Sequence, residues 1–189
     1  MRVPITIFDR HIHLSKYDAE KLFWGTYKFT TKKKCVRADE FECNETLDLK
    51  WKNWEIKNIS IILPFRKNTQ VELFESDRIA LWQEIPDRFS YDLEWSSDCT
   101  LIWPKWSVYL NKWVIIAQPH IHLSVAQAQD FGFKNNQIVS VQTHWKFLHT
   151  FKNVKIRAKD YFDFDFHINR EQAESLWIQP GDRWEITSD

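Results

Sequence analysis

Two copies of one histidine pattern are the residues of this chain best suited to metal chemistry. His11 and His13 form the first pair and His120 and His122 the second, so the pairs hold four of the seven histidines. In an extended strand the side chains of residues i and i+2 point to the same face. Each pair therefore directs two imidazoles toward one point, and neutral imidazole is a preferred zinc ligand. The pattern predicts half of a zinc site, twice.

The surroundings of the two pairs repeat as well. Each pair follows an apolar run and precedes a Leu-Ser step, in which Ser15 or Ser124 can cap a helix that begins directly after it. A single pair would be weak evidence, because alternating histidines can simply be hydrogen-bonded residues of a half-buried strand. The repetition of strand, histidine pair and capped helix indicates an internal duplication.

Short strands separated by polar turns dominate the rest of the chain. The β-rich runs are 3–8, 56–63, 69–73, 100–102, 107–110, 114–118, 138–143, 154–158, 162–168 and 184–187. Brief helical patterns cover about 15–23, 76–81, 124–131 and 170–176. Many short strands with few helices predict a mostly β protein with short helices, built as small β-barrels and not as a doubly wound sheet. The charged and irregular composition of 30–44 predicts an excursion between elements there.

Composition and charge argue against several classes of partner. Lys plus Arg and Asp plus Glu both number 26, so the formal net charge is zero and nucleic acid is not expected as a partner. No apolar run reaches the roughly 20 residues of a membrane span, so we expect no membrane association. The chain enters its first strand almost at once, so no signal peptide or targeting extension is expected, and its three cysteines are widely spaced. We therefore expect a cytoplasmic enzyme.

Several ordered blocks of the chain resemble a known family. Besides the two histidine pairs, the blocks are Arg66–Glu72, Val114–Gln118, Phe166–Ile168 and Gln179–Asp182. Over nearly the whole chain they are similar to the PduL-type phosphate acyltransferases, the zinc-dependent phosphotransacylases of the phosphate propanoyltransferase family. The resemblance implies two small β-barrels related by pseudo-twofold duplication, an active site between them and a homodimer. One barrel would comprise 1–9 plus 118–189 with the second pair, and the other 10–117 with the first.

The resemblance also implies the residues of the site. Two zinc ions per chain are expected, with Glu72 completing the ligands of the first pair and His167 those of the second. Arg66 is expected to bind inorganic phosphate. The segment Ile7, Phe8 and Asp9 is expected to contact coenzyme A.

The residue types themselves suit these assignments. Glu72 lies in an apolar alternation, where an inward-pointing carboxylate needs a partner such as a bound cation. Strand alternation places Asp163, Asp165 and His167 on one face, opposite the neighbouring aromatic residues. The guanidinium of Arg66 offers a planar fork of donors that fits phosphate oxygens bidentately, which lysine cannot reproduce.

The implied reaction interconverts acyl-CoA plus phosphate with acyl phosphate plus coenzyme A, for short acyl groups such as acetyl or propanoyl. Two alternatives stay open, a degenerate zinc-binding paralogue without acyl transfer and a metal-dependent hydrolase. The hydrolase barrel needs eight β/α repeats and typically about 250 residues, and this chain of 189 residues has too few helices. The positions that depart from the family's pattern bear on coenzyme A affinity more than on metal binding; they are Asp9, Asn53, Ser60, Pro119 and Glu174.

The chain is unusual in having 11 Trp and only 3 Gly. An average glycine content of about 7% would give roughly 13 glycines in a chain of this length. Positive φ, which suits glycine and not a bulky aromatic, is expected in the turns that hold Trp51, Trp54, Trp103 and Trp106. The other seven fall at or near positions where the family tends to carry glycine, which implies the same backbone there: Trp24, Trp82, Trp95, Trp113, Trp145, Trp177 and Trp184. One interpretation is an aromatic-rich lineage in which tryptophan packs as an apolar anchor. The other hypothesis is that the source reads UGA as glycine, so that these tryptophans are glycines in the natural protein.

Overall fold

The computed structural model describes residues 1–25, 27–35, 39–52, 54–82, 84–90, 92, 94–143 and 148–187. It divides the chain into two compact units: the His11 unit, Asp9–Ala117, and the His120 unit, Met1–Phe8 plus Gln118–Asp189. The elements in chain order are β1 (Arg2–Phe8), β2 (His11–Ser15), α1 (Lys16–Phe23), β3 (Thr31–Lys34), β4 (Phe41–Trp51), β5 (Trp54–Arg66), β6 (Gln70–Leu73), α2 (Glu75–Leu81), β7 (Asp87–Arg88), β8 (Ser97–Trp103), β9 (Trp106–Ala117), β10 (His120–Leu123), α3 (Val125–Phe131), β11 (Ile138–Gln142), β12 (Thr150–Ala158), β13 (Asp165–Asn169), α4 (Arg170–Ser175) and β14 (Arg183–Thr187). Across the described parts of the chain, none of these helices is long and apolar enough to cross a membrane.

The His120 unit is a closed six-stranded barrel. Its strands follow the order β1-β13-β10-β12-β11-β14, and β14 pairs back with β1 to close the ring. The barrel core contains apolar residues from every strand, among them Ile121 of β10, Phe166 of β13 and Trp184 of β14. Because side chains alternate across a strand, the apolar residues face this core and the histidines between them face the opposite side.

The His11 unit contains a second closed ring of six strands. The order is β4-β5-β2-β6-β9-β8, and β8 pairs with β4 to close it. Two further short strands are added at the outside, β3 on β4 and β7 on β9. Ile12, Ile61 and Val71 belong to the buried core of this ring. The prediction of two small β-barrels is therefore confirmed.

The two rings have the same pairing pattern. In both, the strand with the histidine pair lies between a parallel and an antiparallel neighbour, and the other four pairings also agree in direction. The corresponding strands are β2 and β10, β4 and β11, β5 and β12, β6 and β13, β8 and β14, and β9 and β1. The internal duplication expected from the histidine pairs is thus present in the whole strand order of each barrel.

The helices after the histidine pairs begin as the sequence predicts. Ser15 accepts a hydrogen bond from the backbone N–H of Asp18 at 3.1 Å, and Ser124 accepts one from Gln127 at 3.1 Å. These contacts satisfy backbone donors that lack partners in the first turn of each helix. Each capping serine therefore marks the point where the histidine strand ends and the helix begins.

The prediction of an irregular excursion near 30–44 is wrong over most of its length. This segment contains β3 and the beginning of β4, a full member of the ring, while 36–38 lie outside the described residues. The acidic residue Glu42 of this segment is buried with partners: it lies 2.8 Å from Lys32 and 3.0 Å from Lys33. Glu45 accepts a hydrogen bond from the Thr30 hydroxyl at 3.0 Å. Local composition could not reveal these partners, because the tertiary pairing of β3 with β4 supplies them.

The sequence also predicts two strands, 107–110 and 114–118, where the structure has the single strand β9. The pairing with β8 shifts its register between Ser97 and Cys99, so extra residues are accommodated on the β9 side. Trp113 lies at this bulge with a φ of 107°, and its N–H donates to Ser96 Oγ at 2.8 Å. A bulge interrupts the alternation of side chains without ending the strand, which explains the wrong boundary.

Five tryptophans adopt positive φ, the region that favours glycine. They are Trp24, Trp82, Trp95, Trp113 and Trp177, with φ values of 58°, 50°, 59°, 107° and 58°. A non-glycine residue in the left-handed region costs roughly 1–2 kcal/mol, because its Cβ crowds the following carbonyl. The expectation of positive φ is confirmed at these positions.

The same expectation is wrong for the tryptophans that flank two hairpins. Trp51 pairs with Trp54, and Trp103 pairs with Trp106, as the last cross-strand pairs before each turn. Trp184 is also an ordinary core residue, 2% exposed. Asn53, His144 and Trp145 lie outside the described residues.

Candidate metal centres

The His11 centre, formed by His11, His13 and Glu72, lies on two neighbouring strands of the His11 unit. His11 and His13 alternate with core residues on β2, and the antiparallel register of β6 places Glu72 directly opposite His11. All three side chains are buried, with exposed fractions of 9%, 2% and 4%. One nitrogen or oxygen from each residue lies within 4.8 Å of the others. The strand register thus brings Glu72 to a histidine pair that is distant from it in sequence.

The spacing of these atoms fits a tetrahedral ion. His11 Nε2 lies 3.1 Å from His13 Nε2 and 3.5 Å from Glu72 Oε2. Two ligands at about 2.0–2.2 Å from a tetrahedral zinc lie roughly 3.3–3.5 Å apart. Nitrogen, nitrogen and carboxylate oxygen are also a ligand set that zinc accepts. The residues present therefore fit zinc.

Hydrogen bonds orient the ligands of the His11 centre. His11 Nδ1 lies 2.8 Å from the carbonyl oxygen of Asp9, which can only accept, so Nδ1 carries the proton and Nε2 keeps its lone pair. Glu72 Oε1 accepts hydrogen bonds from Ser90 Oγ at 2.9 Å and from Gln70 Nε2. Burial raises the pKa of Glu72, but the nearby His11 and Arg66 and these hydrogen bonds outweigh it, so the net pKa is lowered. The carboxylate is ionised and held in place for a cation.

The His120 centre, formed by His120, His122 and His167, repeats this arrangement in the His120 unit. The antiparallel register of β13 places His167 opposite His120 and Asp165 opposite His122. The three imidazole rings contact one another, with centroids 4.3–5.1 Å apart. Their ligand atoms also lie within 4.8 Å of one another. Three neutral imidazoles are a known zinc ligand set.

The tautomer of His120 follows the same rule as that of His11. Its Nδ1 lies 2.9 Å from the carbonyl oxygen of Gln118, two residues before it, which leaves Nε2 with the lone pair. Among the described residues, the buried Nε2 of His122 has no hydrogen-bond partner. A buried nitrogen without a partner is costly unless an ion takes its lone pair. These residues also fit zinc.

Burial keeps these rings neutral, as metal ligands must be. Burial and the neighbouring imidazoles lower the pKa of His120 well below its ordinary value. Burial and the proximity of His167 lower the pKa of His122 to about 3. Asp165 has a lowered pKa because its imidazole neighbours outweigh its burial, so it is ionised. The centre therefore combines two neutral imidazoles, those of His120 and His122, with one buried carboxylate.

Arg66 lies at the end of β5, where the register pairs it with Ser15. Its side chain is 13% exposed, and its Nη2 lies 3.4 Å from Glu40 Oε1. Its charge lowers the pKa of Glu72, so the guanidinium lies within electrostatic range of the His11 centre. The structure thus brings Arg66 to the ligand cluster of its own unit.

The segment expected to contact coenzyme A divides between the two units. Ile7 and Phe8 are the last residues of β1, and the Phe8 ring lies 6.3 Å from the ring of His167. Asp9 begins the His11 unit, and its carbonyl oxygen is the partner of His11. Within each unit, this segment therefore lies beside a metal centre.

The positions that depart from the family's pattern have ordinary structural roles in the described residues. Ser60 donates to Glu42 at 2.9 Å and lies opposite His11 in the register of β5. Pro119 directly precedes β10, and Glu174 is exposed on α4. Asn53 lies outside the described residues.

Sequence reasoning did not assign a role to three residues that contact the clusters. Gln70 and Ser90 both donate to Glu72, and Asp165 contacts His167. The alternation Gln70-Val71-Glu72 and Asp165-Phe166-His167 was a signal for two of them, because each places a polar residue two positions before the third ligand. Ser90 has no such signal.

Comparison with known proteins identifies the class to which these barrels and clusters belong. The phosphate propanoyltransferase family matches residues 4–179 of the chain. A phosphate propanoyltransferase of Lachnoclostridium phytofermentans is 36% identical over 180 residues, covering 95% of this chain and 84% of that protein. Those of Priestia megaterium and Thermotoga maritima are 34% and 32% identical, covering 95% of this chain and 83% and 86% of their own. The chain belongs to the phosphate propanoyltransferase family, and it is an acyltransferase.

Proposed function

We propose that this protein transfers a short acyl group, acetyl or propanoyl, between coenzyme A and inorganic phosphate, with zinc bound at the His11 and His120 centres. The observation that carries this proposal is the repeated cluster of buried ligand residues in a chain of this family. Two independent clusters with matching strand register are hard to explain as isolated core histidines. Acyl-CoA, coenzyme A and phosphate are the substrates and products that this reaction requires.

The proposed zinc ligands are His11, His13 and Glu72 at one centre and His120, His122 and His167 at the other. Zinc bound there would supply a Lewis acid for acyl transfer. The protein's own contribution is to fix the tautomers of His11 and His120 through the carbonyl groups of Asp9 and Gln118. Burial lowers the pKa of His120 and of His122, which keeps these two rings neutral at the pH of the cell.

Phosphate is assigned to Arg66. Its buried guanidinium pairs with Glu40 at 3.4 Å, a distance beyond that of a strong bidentate ion pair. Phosphate can offer the fork two oxygens and a larger negative charge, so exchange of Glu40 for phosphate is chemically reasonable. In this position Arg66 would orient phosphate for attack on a thioester carbonyl, without a covalent enzyme intermediate.

The coenzyme A contact is assigned to Ile7, Phe8 and Asp9. Ile7 and Phe8 are partly buried at the end of β1, where Phe8 lies close to the His167 ring. A contact in this segment would place the thioester near residues that also touch the metal ligands. We also propose a cytoplasmic homodimer; the three cysteines are free thiols, in keeping with a reducing compartment.

The test is coenzyme A release from a panel of acyl-CoA substrates, with and without phosphate, together with zinc analysis of the purified protein. The proposal expects release that depends on phosphate, acyl phosphate as the second product, and close to two zinc ions per chain. Release without phosphate would identify a hydrolase. Bound zinc without release of coenzyme A from any substrate would identify a paralogue that has lost acyl transfer.

A further inference from the structure

The carboxylate of Asp165 contacts two of the three histidines in the His120 centre. Its Oδ2 lies 2.6 Å from His167 Nε2, and its Oδ1 lies 3.6 Å from His122 Nδ1. Its third contact is the hydroxyl of Thr6, which donates to Oδ2 at 2.9 Å. Asp165 is 5% exposed, so its carboxylate is stabilised mainly by these protein groups and not by water.

We propose that Asp165 is a positioning residue of the His120 centre, which orients the histidine ligands. This inference rests on the proposed zinc binding. An ionised carboxylate only accepts hydrogen bonds, so it selects the tautomer with the proton on His167 Nε2. Its Oδ1 has no hydrogen-bond partner among the described residues, but at 3.6 Å its negative charge favours a proton on the facing Nδ1 of His122. The other nitrogen of each ring then keeps the lone pair for zinc. His122 Nε2, the buried nitrogen without a partner among the described residues, is the atom that this selection leaves available.

The His11 unit shows what the centre looks like without this residue. Gln70 occupies the register position that corresponds to Asp165, opposite His13, and it donates to Glu72. There the negative charge belongs to a ligand, and the residue two positions before it is neutral. In the His120 centre none of the three proposed ligands is an acid, and Asp165 supplies the negative charge from the neighbouring position.

The test is zinc affinity of Asp165→Asn, measured by competition with a chromophoric chelator. Loss of a carboxylate behind a histidine ligand is expected to weaken one of the two sites about 10- to 100-fold, and the other site should be unchanged. Asp163→Asn is the matched control, because Asp163 is an exposed carboxylate two residues away. Thr6→Val removes the hydroxyl contact but keeps the carboxylate, and it should leave both affinities near wild type.

The outcomes separate this inference from the proposed function. Wild-type affinities at both sites in Asp165→Asn, or an equal loss in Thr6→Val, would overturn the positioning role. Asp165→Glu keeps the charge and should retain most of the zinc affinity. If Asp165→Glu bound zinc as weakly as Asp165→Asn, that result would also argue against the positioning role. The absorption of cobalt in the weakened site should change in Asp165→Asn, which a purely structural role would not require. A wild-type protein without zinc would instead refute the metal-dependent function itself.

A separate observation concerns the tryptophans with positive φ. Trp82 ends α2 in the left-handed conformation, and its N–H bonds to the carbonyls of Arg78 and Ile79. Gly132 ends α3 in the same conformation, with its N–H bonded to the corresponding carbonyls of Ala128 and Gln129. Glycine is the usual residue at this position because it has no Cβ. Trp82 and Gly132 thus have the same backbone conformation and the same hydrogen-bond pattern at the end of a helix.

The side chains of these tryptophans give no compensating burial. Trp24, Trp82, Trp95 and Trp177 are 77%, 88%, 88% and 80% exposed. Trp113 is half-buried, but its φ of 107° lies in a region that side chains rarely adopt. The three glycines of the chain all have positive φ too. Residues with this combination of backbone and exposure are expected to be glycine.

The geometry points to glycine at Trp24, Trp82, Trp95, Trp113 and Trp177 in the natural protein, encoded by UGA codons that the source reads as glycine. The excess of tryptophan over glycine, 11 against 3, agrees with this inference. Trp184 is the contrasting case. It is 2% exposed and stacks on Phe151 with centroids 5.6 Å apart, so it has the packing of a true tryptophan.

The gene provides the first test. The five positions should be UGA codons and Trp184 should be UGG; UGG at the five positions would overturn the inference. The second test measures thermal midpoints of single Trp→Gly variants made with the standard code. Trp82→Gly and Trp177→Gly should raise the midpoint, because glycine adopts positive φ without strain. Trp54→Gly is the control at a half-exposed strand position with ordinary φ, and it should lower the midpoint. A lower midpoint in all five positive-φ variants would show that the backbone does not require glycine.

Discussion

The His11 and His120 units carry similar ligand clusters that are built from different residues. Their six-stranded rings pair in the same order and direction, and each presents a His-x-His strand beside an antiparallel partner. The partner strand contributes two positions on the same face as the histidines, one opposite each histidine. In the His11 unit these are Glu72 and Gln70, and in the His120 unit they are His167 and Asp165.

This difference shows which part of a metal centre the backbone determines. Strand register determines where the third and fourth polar side chains lie, whatever they are. Side-chain identity then decides whether the carboxylate is itself a ligand, as proposed for Glu72, or lies behind the ligands, as proposed for Asp165. Each centre has one buried carboxylate, but Glu72 lies opposite the first histidine of its pair and Asp165 lies opposite the second.

In the His11 unit Arg66 pairs with Ser15 at the end of β5, whereas in the His120 unit Arg157 pairs with His122 on β12. Removal of Arg66 should have the largest effect. Arg66→Ala is expected to lower kcat/KM for phosphate about 30- to 900-fold, which corresponds to roughly 2–4 kcal/mol of transition-state stabilisation, by analogy with loss of a preorganised donor. Arg66→Lys keeps the charge but loses the bidentate geometry, and it should also weaken phosphate use. Steady-state kinetics with varied phosphate, alongside zinc content and thermal midpoint, measures this. Wild-type rates in both variants would leave Arg66 as a structural partner of Glu40.

The second prediction separates the two centres directly. His11→Ala and His120→Ala should each reduce bound zinc from about two ions to about one per chain, because each removes a ligand from one cluster only. Elemental analysis after gel filtration measures the stoichiometry. His149→Ala is the control, since this histidine belongs to neither cluster. If either ligand variant lost both ions, the centres would not be independent.

Acid should destabilise the metal-free His120 unit. His122 has a pKa of about 3 in the folded protein, and the pKa of His120 is also lowered, whereas unfolded histidine titrates near 6.5. Below pH 6.5 the unfolded state therefore binds more protons than the folded state. The contribution of the neutral histidines to the free energy of unfolding is complete above pH 6.5 and is lost as the pH decreases toward 3. Urea unfolding of metal-free protein at pH 7 and pH 5 measures the loss. His122→Gln should lose less stability over this interval than wild type, and an equal loss would argue against a buried neutral His122.

The helix caps should give the smallest effects and the closest similarity between the units. Ser124→Ala is expected to cost about 1 kcal/mol of unfolding free energy through loss of its bond to the Gln127 N–H. Ser15→Ala should cost at least as much, because the Ser15 hydroxyl also donates to the Asp18 carboxylate at 2.8 Å. Chemical denaturation of the zinc-loaded protein measures both values. A larger loss for Ser124→Ala than for Ser15→Ala would contradict this comparison.

Much of the fold was predictable because its signals are local. The four helices fall within a residue or two of their predicted bounds, since the Ser15 and Ser124 caps mark two of the starts. The barrel class followed from many short strands. The pairing partners of Glu42 and Glu45 were not predictable, and β4 was missed because its buried acids look like exposed residues when their neighbours in space are unknown.

By itself, the sequence determined the ligand pairs, because an i, i+2 spacing on a strand decides that two imidazoles share a face. It also determined the family, through ordered blocks such as Arg66–Glu72. Only the tertiary structure placed Glu72 opposite His11 and His167 opposite His120, since these residues are far apart in sequence and are brought together by the pairing of β6 and β13. The same register placed Asp165 opposite His122. Positive φ at Trp24 and Trp82 was expected from the sequence, and the structure shows that it occurs where α1 and α2 end.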